Sequence, residues 1–205
     1  MRAFRLIPIL LPAVLLAASP GRHWTETANE TIWQGRYKNC DHGYEVYLPK
    51  GVVAHGSLPP APNHGILVSA ADPGTTAEVT LENERLIEVY DSNDAMELGS
   101  ARAELDWELD RERKDSNSLE MIEMHDTTFR GLPAAYARYR TTKGVSTSQA
   151  EELVVYRTSR NVGPIFYVIL LQTPPQYFVQ DRHLYLQIRD GFRVLPAPKG
   201  ECSND

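Results

Sequence analysis

The sequence predicts an α+β protein, in which a mostly antiparallel sheet packs with two main helices. Three observations lead to this class. Short apolar or alternating segments follow one another between turn signals, only two segments have helical periodicity, and strand patterns separate those two segments. The 205 residues are 42% hydrophobic and 23% charged, which excludes collagen-like, disordered and multi-span membrane proteins. A chain of this length is expected to form one domain.

The N-terminal residues have the three-part pattern of a secretory signal peptide. Arg2 and Arg5 provide the positive start, residues 6–18 are uncharged and apolar, and small residues precede a predicted cleavage site after Ser19. A helix of thirteen residues covers about 20 Å, short of the ~30 Å hydrocarbon core of a bilayer. We therefore expect residues 1–19 to be removed, and the mature protein to be periplasmic or secreted with no stable membrane span.

The charge balance argues against nucleic acid and anionic membranes as partners. The chain has 21 Lys and Arg residues against 27 Asp and Glu residues, so its net charge is −6. Loss of Arg2 and Arg5 with the leader makes the charge −8. We expect the mature protein to be a monomer whose partner is another protein or a small ligand.

Cys40 and Cys202 are the only cysteines of the chain. An even number of cysteines in an exported protein favours a disulfide, which here would join the start of the folded part to its tail. A catalytic cysteine is the alternative, because His42 follows Cys40 by two residues. However, Cys202 lies in a polar tail, and no Cys-x-x-Cys motif occurs.

Strand patterns dominate the predicted domain, which covers residues 43–193. The preceding residues 20–42 are polar and lack clear periodicity, and residues 194–205 form a C-terminal tail. Residues 165–171 are apolar at nearly every position, which predicts a central strand that is covered on both faces. The other predicted strands are 43–48, 66–70, 77–82, 86–90, 119–124, 127–130, 135–140 and 151–157.

The first predicted helix covers about residues 94–114. Asp94 and Glu97 have the spacing of a capping box, and the apolar residues that follow recur at steps of three and four. The charged residues between Glu104 and Lys114 are predicted to form a solvated face.

The second predicted helix covers about residues 174–190. Thr173 is expected to cap it, with Pro174 at the first helical position and Gln176 completing a capping box. Gly191 is expected to end the helix in the left-handed conformation.

Three segments suggest a family. Gly-Tyr-x-Val-x-Leu-Pro-x-Gly begins at Gly43, Gly-Leu-Pro-Ala-Ala-x-Ala-x-Tyr begins at Gly131, and Asp-Gly-Phe closes the last helix at residues 190–192. With the order of helices and strands between them, the chain resembles the PsbP-like superfamily of small exported or Ran-binding α/β sandwich domains. The resemblance covers most of residues 43–193 and implies a mostly non-enzymatic protein. It transfers no catalytic residue.

Three histidines lie close together in the sequence, at His42, His55 and His64. Imidazoles suit zinc or copper, but spacings of 13 and 9 residues do not match a zinc-binding motif. A loop over residues 54–65 would have to fold back to bring His55 near His64. We expect ordinary loop histidines, and we keep these three as candidate metal ligands of an alternative function, a small metal-dependent or hydrolytic enzyme.

Other chemistries have no motif in this chain. It lacks the G-x-S-x-G, Walker and G-x-G-x-x-G patterns, so the sequence assigns no catalytic residue and no cofactor. Arg138, Arg140 and Arg157 lie near Tyr136 and Tyr156 and would suit an anion or an acidic peptide, but half-exposed strand positions are the expected interpretation. The leading hypothesis is a non-catalytic binding or assembly module.

Overall fold

The structure is a computed structural model that describes residues 32–56, 64–74, 84–92, 98–159 and 163–196. The strands in these residues are β1 (Ile32–Gln34), β2 (Arg36–Asn39), β3 (Tyr44–Tyr47), β4 (Val53–Gly56), β5 (Gly65–Ser69), β6 (Leu86–Ser92), β7 (Ser118–Phe129), β8 (Leu132–Lys143), β9 (Ser146–Ser159), β10 (Gly163–Thr173) and β11 (Phe192–Val194). The helices are α1 (Ala101–Asp115), a 3₁₀ helix (Pro175–Tyr177) and α2 (Phe178–Gly191).

The strands form two antiparallel sheets. The larger has eight strands in the order β1-β4-β5-β6-β10-β9-β8-β7, and the smaller has three in the order β11-β3-β2. Strand β10 lies inside the larger sheet, where the run from Ile165 to Ile169 is fully buried because both of its faces are covered. The α+β class with a mostly antiparallel sheet and two main helices is therefore confirmed.

Some strands differ from the sequence prediction. The two predicted segments 119–124 and 127–130 fall in one strand, β7, which ends at Phe129 and whose pairing with β8 shifts between Met121 and Glu123. Strands β1 and β2 lie within residues 20–42, for which the sequence predicted no regular element. Both short strands pair within the sheets, so the ordered architecture begins before residue 43.

Helix α1 begins at Ala101, where Ser100 caps it by accepting a hydrogen bond from the backbone N–H of Ala103 at 3.2 Å. Its buried residues Leu105 and Leu109 pack on one face of the larger sheet. The predicted capping box lies in residues 94–97, outside the described residues. In the described part, the helix is shorter at its N-terminus than the predicted 94–114.

Helix α2 begins and ends differently from the prediction. Thr173 does not cap it but ends β10 and donates its hydroxyl to Asp181 at 2.6 Å, and the chain enters α2 through the 3₁₀ helix. Gly191 is the last helical residue and is not left-handed. Its lack of a side chain serves a close approach instead, because a Cβ there would lie 2.2 Å from the carbonyl oxygen of Tyr47.

Two hydrophobic clusters lie on opposite faces of the larger sheet. The cluster under α1 contains small residues of β8, such as Ala135 and Ala137, which allow the helix to approach closely. The other cluster joins α2 and the three-stranded sheet to the opposite face, and its aromatic centre is Tyr44, Tyr167 and Phe192. Each of these three rings is fully buried.

The buried face of α1 also carries carboxyl groups. Glu104 and Glu108 are buried, although the sequence predicted a solvated face for the charged residues of this helix. Glu152 of β9 is buried near them, and burial, with the nearby charge of Glu108, raises its pKa to about 8. Burial and the nearby charge of Glu108 also raise the pKa of Glu88, to about 6. The sheet under α1 therefore holds carboxyl groups that favour the neutral form.

Several predicted features lie outside the described residues: the leader at 1–19, the strand at 77–82, Cys202 and most of the tail at 194–205. Nothing in the structure tests them. Among the described residues, neither helix has both the length and the apolar composition needed to cross a membrane.

Candidate functional site

Two of the three candidate histidines meet at a buried aspartate. His42 lies in the turn between β2 and β3, and His64 lies immediately before β5. Asp91 lies near the end of β6. All five residues of β5 pair with β6, up to Tyr90. Three separate segments of the chain thus converge on what we call the His42–His64–Asp91 site.

Both imidazoles approach the same carboxylate oxygen. The Nδ1 atoms of His42 and His64 lie 2.8 and 2.9 Å from Oδ2 of Asp91, and the two rings are 4.4 Å apart between centroids. The side chain of Asp91 is fully buried, while those of His42 and His64 are 20% and 31% exposed. The carboxylate therefore forms the floor of the site, and the imidazoles form its solvent side.

Burial dominates the electrostatics of this site. It raises the pKa of Asp91 to about 7, and the hydrogen bond from His64 opposes that rise. Burial also lowers the pKa of His42, and the nearby charge of His64 lowers it further. An ionised Asp91 is therefore unfavourable unless a positive group lies beside it. Protonation of both His42 and His64 at once is also unfavourable.

Buried tyrosines hold the backbone of both histidines. The Tyr44 hydroxyl donates to the carbonyl oxygen of His64 at 2.7 Å, and the Tyr167 hydroxyl donates to that of His42 at 2.8 Å. The backbone N–H of Asp91 also donates to the His64 carbonyl, at 3.0 Å. These contacts tie the site to the aromatic core, so its geometry depends on the packing of the two sheets.

His55 does not join the site. It lies on β4 opposite Leu67 of β5 and is 1% exposed. The loop that would have brought it to His64 includes residues 57–63, which are outside the described residues. His55 is thus a buried strand residue, not one of the three side chains that meet.

Sequence reasoning missed Asp91. The predicted strand ended at Tyr90, one residue earlier, so Asp91 was assigned to no element. The sequence offers one signal, an acidic residue directly after a strand of alternating apolar residues. In the structure β6 continues through this residue and pairs with β10, which buries Asp91. Only the pairing of β5 with β6 shows that His64 and Asp91 are neighbours.

A groove lies between α2 and strands β7 to β9. It consists of two adjoining hollows, each of about 390 Å³, that share Arg138 and Arg182 in their linings. Arg182 holds the buried carboxylate of Glu151 through both oxygens. Arg138 pairs with Glu123 at 3.3 Å, and the exposed side chain of Val179 lies at the rim.

The other arginines singled out from the sequence lie apart from this groove lining. Arg140 pairs with Glu120 of β7 at 3.1 Å. Arg157 lies at the other end of β9, where its Nη1 donates to the carbonyl oxygen of Gly43 at 3.4 Å beside the His42 turn. All three predicted arginines are half-buried strand residues, as expected.

Comparison with known proteins finds likeness in structure only. No family model matches the chain, and no curated protein matches it. Among solved structures, PsbP (CyanoP) of Synechocystis sp. PCC 6803 is similar at 17% identity and a TM-score of 0.50, over 80% of this chain and 92% of that one.

A second solved structure is similar over a comparable length. LpqN, a protein involved in cell envelope biogenesis of Mycobacterium tuberculosis, matches at 14% identity and a TM-score of 0.51, over 82% of this chain and 94% of that one. At these identities the likeness concerns the fold alone. The chain has the PsbP-like fold that the order of its helices and strands predicted.

Proposed function

We propose that the protein is an exported, non-catalytic binding or assembly module of the cell envelope, monomeric on its own. The observation that carries this proposal is the whole-domain likeness to CyanoP and LpqN, which covers more than nine tenths of each of those chains. LpqN is involved in cell envelope biogenesis. The leader at residues 1–19 supports an envelope location from an independent feature, because it directs the chain out of the cytoplasm.

The groove beside α2 is the binding surface that we assign to this module. Arg182 and the buried Glu151 neutralise each other across the helix–sheet boundary and link α2 to β9. Arg138 pairs with Glu123 and Arg189 with Asp190, so the lining carries charges of both signs. The groove thus suits a partner segment that brings polar side chains to these ion pairs and an apolar side chain to Val179.

Export is tested by expressing the full chain and a variant without residues 1–19 in a bacterial host. We expect the full chain in the periplasmic or secreted fraction with Pro20 at its N-terminus, and the variant in the cytoplasm. A full chain that stays in the cytoplasm with its leader intact would refute the location.

The groove is tested by placing a photocrosslinking amino acid at position 179 in envelope-located protein. The matched control is position 145, because Val145 is also a valine and is fully exposed, at the tip of the β8–β9 hairpin. We expect a discrete adduct from position 179 that weakens when Arg138 is replaced by Glu, and none from position 145. Equal adducts from both positions would show that the groove is not a specific surface.

We also propose that Cys40 and Cys202 form a disulfide in the exported protein. Cys40 is half-buried at the turn that leads to His42. Closing so long a loop stabilises the folded chain by at most about 5 kcal/mol in the chain-entropy model. Both cysteines should resist alkylation in native protein and react after reduction; free alkylation without reductant would exclude the bond.

The meeting of His42 and His64 at Asp91 favours one rival function, a small metal-dependent or hydrolytic enzyme. Only the enzyme would hydrolyse a substrate. If the purified protein hydrolyses ester or phosphoester substrates and His64→Ala does not, the enzyme replaces the binding module as the proposed function. If the wild type and His64→Ala have equal rates, the result supports the binding module.

A further inference from the structure

The carboxylate of Asp91 is satisfied on one side only. Its Oδ2 faces the two imidazole nitrogens at 2.8 and 2.9 Å. Its Oδ1 is also buried and has no hydrogen-bond partner among the described residues. Buried carboxylate oxygens in native proteins nearly always have a donor or a cation, because desolvating an unpartnered charge is costly. The two oxygens of a carboxylate share its charge, so this unpartnered oxygen points to a cation bound beside Asp91.

The two histidines do not by themselves neutralise this site well. Their ring centroids are 4.4 Å apart, with the rings tilted by 42°, so two protonated imidazoles would repel each other at close range. Two neutral imidazoles leave the carboxylate without a full positive charge. A divalent cation resolves both difficulties, because neutral imidazole and ionised carboxylate are the states that bind metals.

We propose that His42, His64 and Asp91 bind one divalent transition-metal ion of the Zn²⁺ or Cu²⁺ type. Two imidazole nitrogens with one carboxylate oxygen form a donor set that suits these ions better than Ca²⁺ or Mg²⁺, which prefer oxygen ligands. The ion would bind Nδ1 of each ring, with the ring proton on Nε2. The partial exposure of both imidazoles leaves room for water as a further ligand.

The distances require only a small adjustment. The three donor atoms lie within 4.8 Å of one another. Ligands about 2.0 to 2.1 Å from a tetrahedral zinc ion are about 3.3 Å apart, so each nitrogen would move outward from the oxygen by roughly 0.5 Å. Both imidazoles are on the solvent side, where such movement is possible without disturbing the core.

The surrounding structure holds the donors in position. The backbone N–H of His42 donates to Oδ1 of Asn39 at 3.0 Å, and Tyr167 holds its carbonyl. Tyr44 holds the carbonyl of His64. Because His42 belongs to the turn of the smaller sheet and Asp91 to the larger sheet, a bound ion would also link the two sheets.

The test measures metal binding by the full mature chain, expressed without a polyhistidine tag and stripped with a chelator. Zinc is titrated by calorimetry into the wild type and into His42→Gln and His64→Gln. Matched controls are His125→Gln and His183→Gln, since both of those histidines are exposed and lie outside the site. We expect one equivalent of zinc for the wild type and both controls, and at least tenfold weaker binding for each site variant.

Cu²⁺ reports directly which nitrogen atoms bind the metal. A merely structural role of His64 would leave this number of nitrogen ligands unchanged. The electron paramagnetic resonance spectrum of the Cu²⁺-loaded wild type should show coupling to two imidazole nitrogens, and that of His64→Gln to one. His64 is partly exposed, so its replacement should leave the fold intact by circular dichroism. Absent binding to the wild type, or equal binding by His64→Gln, would overturn the proposal; neither result bears on the proposed export or groove.

Discussion

Replacing Glu152 with Gln removes a deeply buried acid from the sheet under α1. Glu152 is 2% exposed and its Oε2 accepts a hydrogen bond from the Tyr139 hydroxyl at 3.2 Å. Glutamine has nearly the shape of the neutral acid and also offers an oxygen to Tyr139. The variant therefore tests the protonation of this site with little change in packing.

The magnitude follows from the pKa of Glu152, which burial and the charge of Glu108 raise from 4.5 to about 8. This difference corresponds to at most about 5 kcal/mol of stability. Because the folded-state pKa lies above the unfolded value, the folded protein binds the extra proton between these two pH values. The contribution of Glu152 to stability is therefore fully present below pH 4.5, falls as the pH rises, and is lost above pH 8.

The assay is urea unfolding of the wild type and Glu152→Gln at pH 5 and pH 9. We expect the variant to gain between about 2 and 4 kcal/mol on the wild type over this interval. Glu120→Gln is the matched control, because Glu120 is exposed on β7 and its pair with Arg140 contributes less than about 1 kcal/mol. If Glu152→Gln and the wild type lose stability in parallel, Glu152 is not a buried neutral acid and the reasoning about α1 is wrong.

Two further substitutions test the packing of α2. Gly191→Ala should destabilise the protein by more than about 2 kcal/mol, because the new Cβ would meet the Tyr47 carbonyl oxygen at 2.2 Å; an unchanged urea midpoint would contradict the close approach. Arg85→Met should cost about 3 to 5 kcal/mol in urea unfolding at pH 7, because it leaves the fully buried carboxylate of Asp181 without its ion pair. The control Arg102→Ala removes an exposed pair and should cost under about 1 kcal/mol, so equal losses in the two variants would argue against the buried pair.

Local patterns predicted most of the sheet. Successive residues of a strand face opposite sides of the sheet, so the order of apolar and polar residues shows which faces are buried. This pattern predicted the strand around Ala135 to Tyr139, which alternates, and the one around Ile165 to Leu171, which is apolar throughout. Helix ends were less predictable. Gly191 fits the pattern of a left-handed cap, but it is needed because another strand passes close by, and no local pattern reports that approach.

The site depends on pairing between distant segments. His42 and His64 were identifiable as histidines in one stretch, but their common partner Asp91 is 27 residues beyond His64 and becomes adjacent only through the β5–β6 pairing. The buried face of α1 was mispredicted for a related reason. Glu104 and Glu108 look solvent-facing by residue type, and only the packing of α1 on the larger sheet shows that their side chains are buried.

The intact mass of the protein recovered from its natural host, measured without reductant, tests most directly whether it is an exported module. We expect the mass of a chain that begins at Pro20, lighter by two hydrogen atoms because Cys40 and Cys202 are joined. A chain that retains Met1 to Ser19 in the cytosol, with both thiols reduced, would contradict export, the disulfide and the envelope role together.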